Sequence, residues 1–205
     1  DGIETGKTPV SKLCRKVGLV FQNPFNQLSG AKETVFAEIA FGLQNYGVPA
    51  DEMIRRVEEV MKLLDIWEYR ERNPFDLSGG QMQRVALAGI LAMEPEVIVL
   101  DEPTSQLDPA GSEEVFAAVD KLAKSGITII MAEQKLEKLA EYCDQILLLH
   151  KGKQIAFDTP QKVFSMPDLN DYGIQAPAFT RICKAEQVTL ADGTYPVTVK
   201  EAAEV

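Results

Sequence analysis

Leu77-Ser78-Gly79-Gly80-Gln81, then Val97-Ile98-Val99-Leu100-Asp101-Glu102-Pro103, then Ser105-Gln106-Leu107-Asp108: these pieces, in this order, decide the fold. Ser78-Gly79-Gly80 sets a hydroxyl and two positions without side chains just ahead of a helix. The free N–H groups of a helix start point outward and favour an anion, and glycine lets the backbone come close to a phosphate. The helix is predicted to run to about Met93, with Val85, Leu87, Ala88 and Leu91 available for packing and Pro95 just beyond its end. Taken alone, Ser78 fits an ordinary serine-capped helix equally well. The strand behind it separates the two readings.

Val97–Leu100 is a short apolar run, the pattern of a strand buried on both faces of a parallel sheet. Ligands in such sheets bind at the carboxyl ends of strands, where Asp101 and Glu102 stand. One carboxylate there can hold Mg²⁺, directly or through water, and the next can polarise an attacking water. A solvated strand end explains one acid more readily than Asp-Glu-Pro after four branched aliphatic residues.

Working outward, Val17–Phe21 reads as a strand entering Gln22. Thr34–Tyr46 and Asp51–Leu64 read as helices separated by Gly47-Val48-Pro49, with Ile54, Val57, Met61 and Leu64 on one face of the second. After Asp108 come helix 110–124, strand 127–131, helix 135–142 and strand 145–149. Strands alternating with helices imply parallel pairing and a doubly wound α/β sheet. His150-Lys151-Gly152-Lys153 reads as a solvated hairpin tip leading into strand 154–157, and Thr159-Pro160 opens a short helix.

The chain has 205 residues, 45% of them hydrophobic, enough for a sizeable core. Its net charge of −10 disfavours nonspecific nucleic-acid binding. Cys14, Cys143 and Cys183 are odd in number and unpaired in spacing, which favours a reducing compartment. With His150 as the single histidine there is no Ser-His-Asp triad and no zinc site. No apolar run approaches the length of a membrane span.

Over nearly its whole length the chain resembles the nucleotide-binding subunit of ATP-binding cassette (ABC) proteins. The resemblance implies a P-loop NTPase-like parallel sheet with an inserted helical subdomain, about residues 30–92. Ser78, Gly79, Gly80 and Gln81 match the ABC signature, which contacts the γ-phosphate of ATP bound mainly by the other subunit of a dimer. Asp101 matches the magnesium-side Asp and Glu102 the catalytic carboxylate. Asp108 matches the loop linking the two sites across the dimer. Gln22, in Val20-Phe21-Gln22-Asn23-Pro24, matches the glutamine loop, which senses the metal and touches the membrane partner.

Two departures bear on function. The family's phosphate loop, Gly-x4-Gly-Lys-Ser/Thr, has one candidate here, Gly2-Ile3-Glu4-Thr5-Gly6-Lys7-Thr8, and it is a decoy. Its glycines are one residue too close, Asp1 falls at the first glycine position, and no strand precedes it. Asp1-Gly2 looks like the turn after a strand. The expectation is a fragment beginning inside the nucleotide-binding domain, which alone binds ATP poorly. Second, Gln134 stands where the family's switch histidine is expected after strand 127–131. Glutamine can donate a hydrogen bond to a phosphate but cannot become cationic.

Residues 172–205 resemble the C-terminal extension of energy-coupling factor (ECF) transporter ATPases. Phe21-Gln22-Asn23-Pro24 with Asn26-Gln27 is similar to that group and to cobalt or nickel uptake ATPases. The expected division is a partial nucleotide-binding domain, 1–158, and a C-terminal extension, 159–205. The expected function is ATP hydrolysis, with ATP and Mg²⁺, energising uptake of a vitamin or transition-metal ion at the cytoplasmic face of the membrane. The implied partners are a second ABC ATPase, a membrane coupling subunit and a substrate-binding membrane subunit, with no nucleic acid. Glu33, Glu38, Asp51, Glu52, Glu58 and Glu59 are expected near a groove for an arginine-bearing coupling helix. The other readings are an inert regulatory half contributing only its signature, which Gln134 favours and Glu102 opposes, and a soluble ABC protein of translation or DNA repair. The last lacks its long heptad insertion here, and Ser105-Gln106 replaces the Asn-His of the translation group.

Overall fold

A computed structural model describes residues 2–203 and 205; Asp1, part of the expected turn, lies outside the described residues. Residues 1–133 and 134–205 form two compact units.

In the first unit, three strands form a parallel sheet in the order β1 (Val17–Val20), β2 (Val97–Asp101), β3 (Thr128–Ala132). Val20 pairs with Leu100, and Leu100 with Met131, so the carboxyl ends lie side by side. Ile98 and Leu100 are buried while Val97 and Val99 are only half-buried. The expectation of burial on both faces of β2 therefore holds for one face.

The helices of this unit are the short α1 (Val10–Leu13), α2 (Val35–Asn45), α3 (Ala50–Leu63), α4 (Gly79–Leu91) and α5 (Pro109–Lys124). Thr34 caps α2 by accepting the Ala37 N–H. α3 buries Val57, Val60 and Met61, and Leu64 just past its end is buried too. Ile54, expected on that face, is 47% exposed. The opposite face carries ion pairs of Arg55 with Glu52 and Glu59 and of Lys62 with Glu58. α4 is enclosed along most of its length, from Met82 to Ala88. It comes so close to β1 that a Cβ on Gly18 would lie 2.1 Å from Ile90 Cγ2. Only glycine fits there.

The second unit contains α6 (Leu136–Tyr142), β4 (Ile146–His150), β5 (Lys153–Asp158), α7 (Pro160–Phe164), α8 (Ala178–Ala185) and α9 (Val199–Ala202). β4 and β5 pair antiparallel. Strand alternation predicts β4 as a further parallel strand, but its ladder is with β5. Lys151 and Gly152, at φ 50° and 74°, make the two-residue turn that matches strand twist. His150 is not the solvated turn residue expected of it: it pairs with Lys153 and packs edge-on to the Tyr172 ring, centroids 5.5 Å apart. Ala140, Leu148, Val163, Phe164, Leu169 and Val197 share one core, so hairpin and tail are packed together, and the expected boundary at 158/159 falls inside this unit.

Candidate functional site

Two groups of side chains gather where the sheet ends. In the first, Asp101 closes β2 and is exposed, and Glu102 follows with φ 43°. A left-handed conformation costs a non-glycine residue about 1 kcal/mol or more. Glu102 is held there from both sides. Its N–H donates to the Ala132 carbonyl (2.9 Å), and its own carbonyl accepts from the Ser105 N–H (3.2 Å) and hydroxyl (3.0 Å). Gln22, leaving the adjacent β1, donates through Nε2 to Glu102 Oε2 at 3.2 Å. Parallel pairing of β1 with β2 brings these residues together across 80 positions of sequence. Behind them, buried Thr104 donates to Glu133 at 2.8 Å.

The second group is the start of α4. Ser78 Oγ accepts the Gln81 N–H (3.4 Å), and Gln81 Oε1 accepts the Ser78 N–H (3.0 Å), a reciprocal cap. Gln81 Nε2 donates to the Tyr69 hydroxyl at 3.1 Å. Because Ser78 Oγ serves the cap as an acceptor, its O–H stays available to donate to an anion. Asp108 caps α5 by accepting the Gly111 N–H at 3.0 Å. The two helix starts touch through glycine: a Cβ on Gly80 would lie 2.9 Å from Gly111 Cα, and one on Gly111 would lie 2.7 Å from Asp108 Oδ1. Segment 102–108 links this group to the carboxylates, with Leu107 lying 3.1 Å from where a Gly79 Cβ would stand.

The structure thus joins Gln22 to Glu102, and Ser78, Gly79, Gly80 and Gln81 to the Asp108 turn. Gln134 opens the second unit, exposed in a bend before α6. Sequence reading passed over Gly111 and Arg84. Arg84 is 7% exposed, donates to the Leu64 and Asp65 carbonyls at 3.1 and 3.3 Å, and pairs with Glu114 at 2.8 Å. An arginine leading into the apolar run Val85–Ala88 of a helix was the available signal, since such a charge, when buried, is retained only with partners.

The stretch expected to be a decoy phosphate loop is Gly2–Thr8. Thr5–Lys7 is a single 3-10 turn, Lys7 pairs with Glu4 at 2.8 Å, and added Cβ atoms on Gly2 and Gly6 would meet nothing. A cavity of about 370 Å³ lies between the segment after Gln22, α2 and α4, lined by Gln27, Ser29, Glu38, Phe41, Gly89 and Met93 among others. Of the six acids expected near a groove, only Glu38 lines it. Glu38 is buried, and its two oxygens accept the Ser29 N–H (2.5 Å) and hydroxyl (2.8 Å). Glu52, Glu58 and Glu59 instead pair with α3's own cations, because they sit one helical turn from them.

Comparison with known proteins gives the family. Residues 1–105 match the ABC transporter family. The energy-coupling factor transporter ATP-binding protein EcfA2 of Streptococcus thermophilus is 40% identical over 199 residues, 96% of this chain and 70% of its own. The chain belongs to the ABC transporter ATP-binding family. A Pyrococcus horikoshii member named as an ABC transporter ATP-binding protein is 45% identical over 184 residues, 89% of this chain. This chain spans only 64% of that relative's length. The solved structure of cbiO1 from Clostridium perfringens, described as part of the ABC transporter complex cbiONQ, superimposes with a TM-score of 0.72 at 34% identity, covering 87% of this chain and 70% of that one. Among the described residues no helix is long and apolar enough to cross a membrane.

Proposed function

We propose that this chain is part of the ATP-hydrolysing subunit of an ECF-type ABC importer, taking up a vitamin or a transition-metal ion. One observation carries the reading: Gln22 bonded to Glu102 at the carboxyl edge of a parallel sheet, with the Ser78 helix start beside the Asp108 turn. Residues 1–158 serve as the nucleotide-binding portion and 159–205 as the C-terminal extension. The names of the Streptococcus and Clostridium relatives support the transporter class.

Glu102 orients and polarises the water that attacks the γ-phosphate in line. Its fixed backbone and the Gln22 amide hold the carboxylate in one direction before substrate arrives. Ser78, Gly79 and Gly80 offer the phosphate of a facing subunit's ATP a hydroxyl and free backbone N–H groups. Asp101 and Gln22 are oxygen-bearing ligands of the kind Mg²⁺ takes, and among the described residues no group of three or more acidic, histidine or cysteine side chains is placed to hold a metal ion by itself. That donor set fits an ion shared with nucleotide phosphates, and bound Mg²⁺ would neutralise charge on them. Asp108 links the two sites of the dimer, and Gln134 donates to phosphate without supplying positive charge.

The partners in this reading are a second ABC ATPase, a membrane coupling subunit and a substrate-binding membrane subunit, at the cytoplasmic face. The cavity beside Glu38 is the seat for the coupling helix. The test is ATP hydrolysis by the full-length protein purified with its partner subunits. Glu102→Gln is expected to lower turnover at this chain's own site by on the order of a hundredfold or more, while leaving chemistry at the partner's site. Turnover untouched by Glu102→Gln overturns the reading. Gln134 favours a second reading, an inert half that supplies only its signature. Gln134→His with the partner's site disabled decides between them: a gain in turnover means glutamine had limited a working site, and none from a silent wild-type site supports the inert half.

A further inference from the structure

Phe21, the residue between β1 and Gln22, is gripped on both its backbone groups by side-chain amides. Its N–H donates to Gln27 Oε1 at 3.3 Å, and its carbonyl accepts from Gln83 Nε2 at 3.2 Å. Gln83 stands on α4, five residues after Ser78, and is 1% exposed. A buried glutamine between Met82 and Arg84 on a packed helix carries a desolvation cost unless its amide is used. Its orientation follows from chemistry: turned over, its oxygen would face the Phe21 carbonyl oxygen, two acceptors with no proton between them. The chain of contacts therefore runs from α4 through Gln83 to the Phe21 peptide, to Gln22, and from Gln22 Nε2 to Glu102 Oε2.

We infer that Gln83 is a positioning residue that ties the Ser78 helix to the Gln22–Glu102 pair within the same chain, with Gln27 as its counterpart on the N–H side. Residue 21 is the last one before Gln22, so fixing its peptide plane fixes the direction in which Gln22 leaves the strand. A shift of α4 when its N-terminus engages a facing nucleotide is then transmitted as a rotation of the Phe21 peptide, and Gln22 moves on Glu102. The helix that meets the partner's ATP thus adjusts the carboxylate of this chain's own site. The inference rests on the ATPase reading above, although the physical tie does not.

The experiment uses the full-length protein assembled with its partner subunits in liposomes. Gln83→Met keeps length and apolar fit but donates nothing. It is expected to lower kcat about fivefold, the size of one neutral hydrogen bond, with KM for ATP unchanged. Placed on Gln22→Ala, it is expected to cause no further loss, because the residue it positions is gone. Amide hydrogen exchange over 21–27 is expected to quicken in Gln83→Met. Gln27→Met gives the same pattern from the other side and serves if Gln83→Met does not fold. An equal loss with and without Gln22 overturns the inference, since a merely structural glutamine would act in both backgrounds. A change in KM alone, or unchanged exchange over 21–27, also overturns it. If the wild-type assembly hydrolyses no ATP, the functional reading falls, and the exchange measurement by itself decides whether Gln83 holds the segment.

Discussion

Asn-Pro-Phe occurs twice in this chain, at 23–25 and at 73–75, and each copy soon meets Leu-Ser-Gly, at 28–30 and 77–79. The turns themselves are alike. Both are 3-10 turns, Pro24–Asn26 and Pro74–Asp76, with the proline buried. Asn23 accepts the Phe25 N–H at 3.0 Å and Asn73 accepts the Phe75 N–H at 2.9 Å. The exposed rings of Phe25 and Phe75 stack on one another, centroids 6.1 Å apart. After the turns the two segments part. Ser78 caps α4 and Gly79 becomes its first residue, whereas Ser29 is taken by buried Glu38 and Gly30 turns left-handed at φ 67°. Two of the differences between the segments bear on this. Gln27 is an extra residue in the first, and its oxygen is bonded to Phe21. Gln81, three residues after Ser78, completes the reciprocal cap, and Lys32 stands at the corresponding place after Ser29. The same local chemistry builds the same turn, and the next partner decides whether a helix or a loop follows.

Substitution at the two serines separates the segments most. Ser78→Arg puts bulk and charge where Gly79 and Gly80 leave room for phosphate. It is expected to cut turnover of ATP held by the facing subunit by on the order of 10² or more. Ser29→Ala is expected to leave that turnover unchanged. Site-resolved nucleotide trapping in the full assembly checks this, and loss of the chain's own site instead would refute the assignment of Ser78 to ATP held by the facing subunit.

Glu38 has no counterpart behind Ser78. Glu38→Ala removes both bonds to Ser29 and is expected to cost about 1.5–3 kcal/mol of stability, the range for hydrogen bonds to a charged group. A urea midpoint that does not move would show that Ser29 is placed by its own turn. The same variant enlarges the cavity wall and is expected to weaken co-purification of the membrane coupling subunit.

The glycines give the smallest and most diagnostic difference. Gly30→Ala must hold φ near 67° and is expected to destabilise by about 1 kcal/mol. Gly79→Ala enters a helix, where alanine gains up to about 1 kcal/mol, offset by the nearby Leu107 methyl, so little net change is expected. Thermal melts of the pair check the sign of the difference. Equal losses would mean that Gly79 is not in helical conformation in solution.

Much of this fold was legible because its signals are local. Apolar runs marked β1, β2 and β3 within a residue or so of their ends, and Ser78 marked a helix start by its capping chemistry. Gln22, Ser78, Glu102 and Asp108 were singled out by the order of motifs between residues 22 and 108. Gln83, Gly111 and Arg84 were not, because their importance lies in what they touch: a carbonyl 62 positions away, a glycine on the preceding helix, a carboxylate 30 positions on.

The sequence by itself determined the turns, the caps, the alternation of strand and helix, and the placing of two carboxylates at a strand end, since each follows from backbone sterics and hydrogen bonding within a few residues. Only the tertiary structure decided that Ile54 faces out, that β4 pairs with β5, that Glu38 and not its acidic neighbours lines the cavity, and that Glu102 meets Gln22. Each of those outcomes depends on which distant surface arrives first to bury an apolar face or satisfy a polar group, and that choice is made by packing of the whole chain.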